Sequence, residues 1–303
     1  MAVYERHYHQ YAGLKTPEWS RFLILPRHAF RDVFRSKLFT AFFVVCFVPL
    51  LVEAILIYLR HNANALAILQ VDVRSLLPID ASFFEAFITI QSGFAFLLAL
   101  MVGPPLVARD VANNALPLYL CRPFSRAEYV LGKMSVVIIL LSTITWIPSL
   151  LLFLFQAYLE GFSWFSSNLW IGSAIFFSSL MWILVLTLLS QAVSAWVKWR
   201  VAASAALIGF YVIPSVFAAV VNHIFTTRWG DIISVDALRK NVTAGLFGTF
   251  EQSVRAVTDF GGPWRTVTLN EPALWCSWLA LFLLCGSCLA LISRKVKAYE
   301  VIK

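Results

Sequence analysis

Long apolar segments alternate with short polar ones along most of this chain. A helix needs about 20 apolar residues to cross the hydrocarbon core of a bilayer. Six runs reach that length, at roughly 38–59, 83–107, 129–157, 169–197, 201–225 and 273–293. The pattern predicts an all-α polytopic membrane protein with six transmembrane helices, in which residues 38–293 form the transmembrane domain between polar tails at 1–37 and 294–303.

A basic amphipathic segment precedes the first span. Within residues 18–37, apolar side chains recur at helical spacing, whereas Arg27, Arg31 and Arg35 occupy other faces. Such a helix lies at the boundary between membrane and water, and we expect Pro26 to bend or restart it. The segment is predicted to be a cytoplasmic elbow helix, which either anchors the chain to the membrane or docks a cytoplasmic partner.

Composition and charge agree with the membrane class. The chain is 60% hydrophobic and only 13% charged, about half the charged fraction of a soluble domain. Lys and Arg are concentrated in the segments that share a side with the N-terminus, while the first and third connectors contain only Arg60 and Arg74. Both termini are therefore expected in the cytoplasm. The net charge of +8 indicates orientation and attraction to membrane lipid rather than nucleic-acid binding.

An unusually structured polar segment, residues 108–128, connects spans 2 and 3. We expect Gly103, Pro104 and Pro105 to break the second span near the cytoplasmic face. Asp110 then has the position of an N-cap for a short helix, which Pro123 ends.

The start of the third span carries a capping signature. Ser125 and Glu128 form a capping box, and Phe124 and Tyr129 occupy the two positions of a hydrophobic staple around it. The short helix before it is therefore fixed at both ends. It acts either as a rigid lever for a cytoplasmic partner or as an interfacial helix that rests on lipid.

The stretch from Arg109 to Lys133, RDVANNALPLYLCRPFSRAEYVLGK, resembles the segment after the second span of ABC-2 type permeases, the membrane subunits of type V ABC transporters. The resemblance is carried by Asp110, the pair Ala115-Leu116, the step from Pro123 to Glu128 and the closing Gly132-Lys133. The elbow helix, the six spans and an extended connector before the last span also fit this family.

The resemblance implies the permease subunit of an exporter in the bacterial inner membrane. Two copies of a cytoplasmic ABC ATPase would hydrolyse ATP with Mg and grip the short helix as a coupling helix, and the second permease is expected to be an identical copy. The residues expected to contact the ATPase are Arg109, Asp110, Asn113, Asn114, Leu116, Tyr119 and Arg122, supported by Arg27, Arg31 and Arg35.

The sequence contains no G-x-x-x-x-G-K-[ST] phosphate loop, so the chain is not expected to be an enzyme or to bind ATP itself. No catalytic, cofactor-binding or metal-binding residues are predicted. Two alternatives remain open: a non-transporting scaffold that recruits an ATPase, and an ATP-independent carrier.

Two of the polar residues inside predicted spans, where polar groups are costly, are candidates for a functional role. Glu53 in span 1 and Gln91 in span 2 are about 10 Å from the outer surface, by the rise of 1.5 Å per residue, so they can hydrogen-bond to each other. They either line a substrate route or gate, or join helices. The cargo is not identified, although aromatic, weakly charged spans favour an amphiphilic, lipid-like or peptide cargo.

Two further features bear on architecture. Span 5 opens with small residues four apart, Ala202 with Ala206 and Ala205 with Gly209, which suits either an intramolecular contact or a dimer seam. In the long extracytoplasmic connector, 226–272, apolar residues recur at helical spacing from Val235 to Val257, which predicts an amphipathic helical element over the outer mouth.

Overall fold

The computed structural model of the chain describes residues 24–62, 78–113, 126–197, 199–250, 254–257 and 265–295. The helices are α1 (Ile24–Phe34), α2 (Lys37–Val45), α3 (Val48–His61), α4 (Ala81–Ala112), α5 (Arg126–Ile144), α6 (Trp146–Glu160), α7 (Phe162–Ser167), α8 (Leu169–Trp196), α9 (Arg200–Ile224), α10 (Val235–Phe247) and α11 (Leu274–Lys295). A 3-10 turn spans Trp229–Ile232, and strands β1 (Val254–Val257) and β2 (Arg265–Thr268) pair antiparallel.

Six segments of the described chain are long and apolar enough to cross a membrane. They are Lys37–His61, Ala81–Ala108, Ala127–Glu160, Leu169–Trp196, Arg200–Ile224 and Leu274–Lys295, named spans 1 to 6. The predicted fold class, an all-α membrane protein with six transmembrane helices, is confirmed. Since the chain crosses six times, α1 and the end of span 6 lie at one end of the bundle, named the terminal end.

Spans 1 and 3 each consist of two helices. Span 1 is interrupted between α2 and α3, and span 3 is interrupted at Thr145 between α5 and α6. A proline lacks the amide that would bond the carbonyl four residues earlier. Pro49 therefore leaves Val45 without a helical donor and Pro148 leaves Ile144 without one, and these are the residues at which α2 and α5 end.

Span 4 is the centre of the bundle. Of its most apolar stretch 61% is buried, against 17%, 11% and 22% for spans 1, 5 and 6. Its most extensive packing is against span 2. At Gly103 the two helices are so close that an added Cβ would lie 2.6 Å from the Ser190 Cβ. The buried centre therefore consists mainly of spans 2, 3 and 4, and the other spans leave apolar faces on the surface.

The predicted break at Gly103-Pro104-Pro105 is wrong, because α4 continues through both prolines to Ala112. Pro104 deprives the carbonyl of Leu100 of its helical donor, and the Ser204 hydroxyl of span 5 approaches that carbonyl at 3.5 Å. A neighbouring helix that supplies a polar group allows a transmembrane helix to tolerate proline. Asp110 therefore lies within a continuous helix and does not cap a new one.

The connector after span 5 returns into the bundle. Helix α10 packs against spans 2, 4, 5 and 6, and its Val235, Leu238 and Val242 belong to the main hydrophobic core. The predicted helical periodicity up to Val257 is wrong, because α10 ends where Gly248 takes a left-handed φ of 66° and Val254 and Val257 lie in β1.

Candidate functional site

A largely buried ion pair joins the ends of spans 2 and 3 on either side of the connector between them. Lys133 Nζ lies 2.8 Å from Asp110 Oδ2, and the Tyr129 hydroxyl donates a hydrogen bond to the same oxygen at 2.8 Å. Tyr129 is 1% exposed and Lys133 is 9% exposed. Asp110, Tyr129 and Lys133 are referred to below as the span 2–3 clamp.

Helix geometry explains why one carboxylate meets both partners. Tyr129 and Lys133 are four residues apart on α5, so their side chains lie on the same face, and Lys133 Nζ is 5.8 Å from the Tyr129 ring centroid. Asp110 is in the last turn of α4. Separating the two largely buried charges would leave each without its counter-ion, at a cost of about 3 kcal/mol. The clamp therefore fixes the distance between the two span ends.

The other predicted coupling residues are only partly covered by the structure. Arg109 is in α4, and Asn113 is exposed just beyond its end. The predicted coupling and capping residues that lie outside the described residues are Asn114, Leu116, Tyr119, Arg122, Pro123, Phe124 and Ser125. Helix α5 begins at Arg126, so Glu128 is in its first turn.

The sequence contained a signal for the clamp that was not used. Asp110 and Lys133 carry opposite charges and flank one short connector between two spans. The two residues meet only because the end of α4 lies beside the start of α5. Helical periodicity within one span does not reveal this proximity.

A cleft of about 630 Å³ lies beside the clamp, between α1, span 2 and span 5. Its walls are apolar, and its polar rim consists of His28, Asp32, Ser36, Arg200, Ser204 and the Asp110–Lys133 pair. We call it the elbow cleft. Arg27 and Arg31 on α1, and Arg35 just after its end, are exposed and do not line the cleft.

Glu53 and Gln91 are both buried, at 8% and 0% exposure, but they do not hydrogen-bond to each other. Gln91 Nε2 instead donates to the Cys46 carbonyl at 3.0 Å, at the interruption of span 1. Among the described residues, Gln91 Oε1 and Glu53 Oε2 have no hydrogen-bond partner. Gln91 therefore joins spans 1 and 2, while one oxygen of each residue stays unpaired.

At the end opposite the terminal end, a polar network holds the returning connector. Ser215 and Ser234 hydroxyl oxygens lie 2.9 Å apart, and the Tyr211 hydroxyl donates to Asp236 at 2.8 Å. Tyr211 is 13 residues before Ile224, the end of span 5, or about 20 Å along the helix. Helix α10 thus begins well inside the bundle.

Asp236 organises the charges of this network. It accepts from Arg239 Nη2 at 3.1 Å and pairs with Lys240 Nζ at 2.8 Å. Burial by itself raises the pKa of Asp236, but the hydrogen bonds from Lys240 and Tyr211 and the charges of Arg239 and Lys240 outweigh it and hold the pKa below its usual value. Arg239 is 3% exposed and lies 5.6 Å from the Trp182 ring of span 4.

The start of the connector is held to the start of span 6 in the same region. Arg228 bonds Asp231 at 2.8 Å and Glu271 at 3.4 Å, and Asn222 donates to Asp231 at 2.7 Å. Among the described residues, no group of three or more His, Cys, Asp and Glu side chains is placed to hold a metal ion.

Comparison with known proteins identifies a family. The family model described as ABC-2 family transporter protein matches residues 23–232, well over half of the 303 residues. The matched range covers α1, spans 1 to 5, the span 2–3 clamp and the connector that the clamp flanks. A search of the curated proteins found no match.

Proposed function

Since this chain belongs to the ABC-2 family of transporter proteins, we propose that it forms the membrane pathway of an exporter driven by a separate ABC ATPase. Membership makes the chain an integral membrane subunit of an ABC transporter, and it implies association with an ABC ATPase subunit. The family match across the connector between spans 2 and 3 is the observation that carries the proposal.

In this proposal the ATPase contacts the coupling segment, residues 108–128, with support from the exposed arginines of α1. Two ATPase copies bind ATP and Mg at their own sites. Movement of the coupling segment reaches spans 2 and 3 together, because the clamp resists separation of their ends. Span 2 packs along span 4, so displacement acts directly on the buried centre of the bundle.

The second permease is proposed to be an identical copy that meets span 5. Ala202, Ala205 and Ala206 are exposed, whereas Ala203 and Leu207 point into the bundle. Within the part of the chain that the structure describes, these three alanines are therefore not packed into the bundle. Small side chains allow two membrane helices to approach closely, which supports a dimer seam on this face.

The cargo is proposed to be an amphiphilic molecule, either lipid-like or a peptide. It would move along a pathway lined by Glu53 and Gln91. Each has one buried oxygen that finds no hydrogen-bond partner in the described part of the chain. An unpaired buried oxygen is costly in a membrane interior. A hydrogen-bond donor that is present only when cargo is bound, or only in another state of the transporter, would account for the two unpaired oxygens.

Orientation follows from the distribution of positive charge. Lys and Arg are concentrated at the terminal end, as in α1 and at the end of span 6. This supports an orientation in the bacterial inner membrane in which both termini face the cytoplasm.

The proposal is tested by co-purification of the ATPase with variants of the coupling segment. We expect Arg122→Glu, or replacement of Asn113–Leu120 by Gly and Ser, to abolish co-purification while the chain still inserts into the membrane. Arg294→Glu is the control, because Arg294 is an exposed cation of the terminal end outside the segment. Retention of the ATPase by both coupling variants would refute the proposal. A bound ATPase whose hydrolysis rate is unaffected by the permease would favour the scaffold.

A further inference from the structure

Two exposed charged side chains of opposite sign line the elbow cleft. Arg200, at the start of span 5, and Asp32, on α1, both line the cleft. Within the described part of the chain neither has an ion pair or a side-chain hydrogen bond. They come from different elements, so one cation and one anion face the same cavity. The other charged pair of the rim, Asp110 and Lys133, is already satisfied within the clamp.

The rest of the cleft is suited to hydrocarbon. Leu25 and Val33 line it from α1, Leu100 and Leu106 from span 2, and Val201 from span 5. Its volume of about 630 Å³ is in the range of sites that hold small organic ligands. The cavity thus combines an apolar interior with a rim that offers both signs of charge.

The position of the rim identifies the kind of ligand. Ser36 is the N-cap of the first helix of span 1, and Arg200 begins span 5. The rim therefore lies where the spans leave the hydrocarbon core, which is the level of lipid headgroups. A lipid in the cleft would place its chain between α1 and span 2, with its headgroup between Asp32 and Arg200.

We propose that the elbow cleft binds a phospholipid whose headgroup carries both a phosphate and a primary ammonium. Arg200 pairs with the phosphate, and Asp32 accepts hydrogen bonds from the ammonium. An anionic lipid without the ammonium would satisfy Arg200 and leave Asp32 facing a negative headgroup. A quaternary ammonium has no N–H to donate and would also be disfavoured. The inference goes beyond the proposed function, because it concerns binding by this chain alone.

The test is equilibrium binding of single-chain lipids to the purified full-length chain in detergent, followed by native mass spectrometry. The probes are lysophosphatidylethanolamine, lysophosphatidylglycerol and lysophosphatidylcholine with the same acyl chain. One charge-assisted hydrogen bond at a partly exposed site corresponds to about a tenfold difference in Kd. We expect the ethanolamine lipid to bind about tenfold more tightly than the other two.

Two charge variants separate the two contacts. Asp32→Asn is expected to remove the preference for the ethanolamine lipid without weakening the glycerol lipid. Arg200→Gln is expected to weaken both about tenfold, because both carry the phosphate. Arg294→Gln, an exposed cation that does not line the cleft, is expected to change nothing.

A third variant tests the cavity itself. Ala29→Trp fills the apolar interior and is expected to weaken all three lipids, whereas Ala41→Trp, at an exposed position of span 1, is not. If Ala29→Trp fails to fold, Val201→Trp at the cleft margin replaces it. Equal affinity for the three lipids, or an equal effect of Asp32→Asn on all of them, would overturn the proposal. Because no ATPase is present, such a failure would leave the proposed transport function untouched.

Discussion

At the scale of single residues, Lys133 has a role that its sequence position does not reveal. Its charge is buried against Asp110, whose Oδ2 also accepts the Tyr129 hydroxyl. The motif containing Lys133 was visible in the sequence, but the pairing depends on two helix ends meeting in space. Sequence reasoning could therefore nominate Asp110 and Tyr129 without finding that the two contact each other and that Asp110 pairs with Lys133.

Removal of one partner of the clamp should be far more damaging than removal of its hydrogen bond. Lys133→Met leaves the largely buried Asp110 carboxylate without its cation, which we expect to destabilise the chain by about 3 kcal/mol. Tyr129→Phe removes one hydrogen bond and should cost about 1 kcal/mol. Thermal unfolding of the purified chain measures both. The charge swap Asp110→Lys with Lys133→Asp should recover part of the loss, and equal effects of the two single variants would argue against the ion pair.

At the scale of elements, the six spans could be predicted from the sequence, but the course of the connector after span 5 could not. An apolar run of about 20 residues is sufficient to predict a span. The Leu100 carbonyl that Pro104 leaves without a helical donor is approached by Ser204, which is far away in the sequence. Likewise, the spacing of Val235, Leu238 and Val242 predicts a helix with an apolar face but not how deeply that helix enters the bundle.

The attachment of α10 should depend on pH through Asp236. Because its pKa is held below the usual 3.8, ionised Asp236 stabilises the fold. This contribution is complete above the unfolded-state pKa and is lost as pH falls through the lower folded-state pKa. We expect the melting temperature to fall between about pH 5 and pH 2, and part of this fall should be absent in Asp236→Asn.

The two cations around Asp236 provide a control for this prediction. Asp236→Asn leaves the buried Arg239 without its counter-ion, which should cost about 3 kcal/mol at neutral pH. Lys240→Met removes a cation that is 56% exposed and should cost less than about 1 kcal/mol. If the two variants lowered the melting temperature equally, the pairing of Asp236 with Arg239 would not be the main source of this stabilisation.

At the scale of the whole molecule, the spans differ in how much of their surface the rest of the chain covers. Span 4 is largely covered by its own chain, while span 5 has the least buried surface of the six. Lipid or a second copy must cover the remainder. The sequence identified the small residues of span 5, but only the packed bundle places Ala202 and Ala206 on its outer side.

A dimer interface on the outer face of span 5 leads to a specific prediction. Ala202→Leu with Ala206→Leu should shift the complex from dimer to monomer in mild detergent, because larger side chains prevent close helix approach. Mass measurement of the detergent complex reports the change. Ala290→Leu in span 6, also at an exposed position, serves as the control. A dimer that survives the span 5 change would place the seam elsewhere.

The interruptions of spans 1 and 3 have a consequence for motion. Beyond them, α3 and α6 pack together and are joined by His61 Nε2 and Glu160 Oε1 at 3.2 Å. We therefore expect these two half-helices to tilt together about Phe47 and Thr145, whereas span 4 is a single uninterrupted helix. Such a tilt would open the far side of the bundle without rearranging the terminal end.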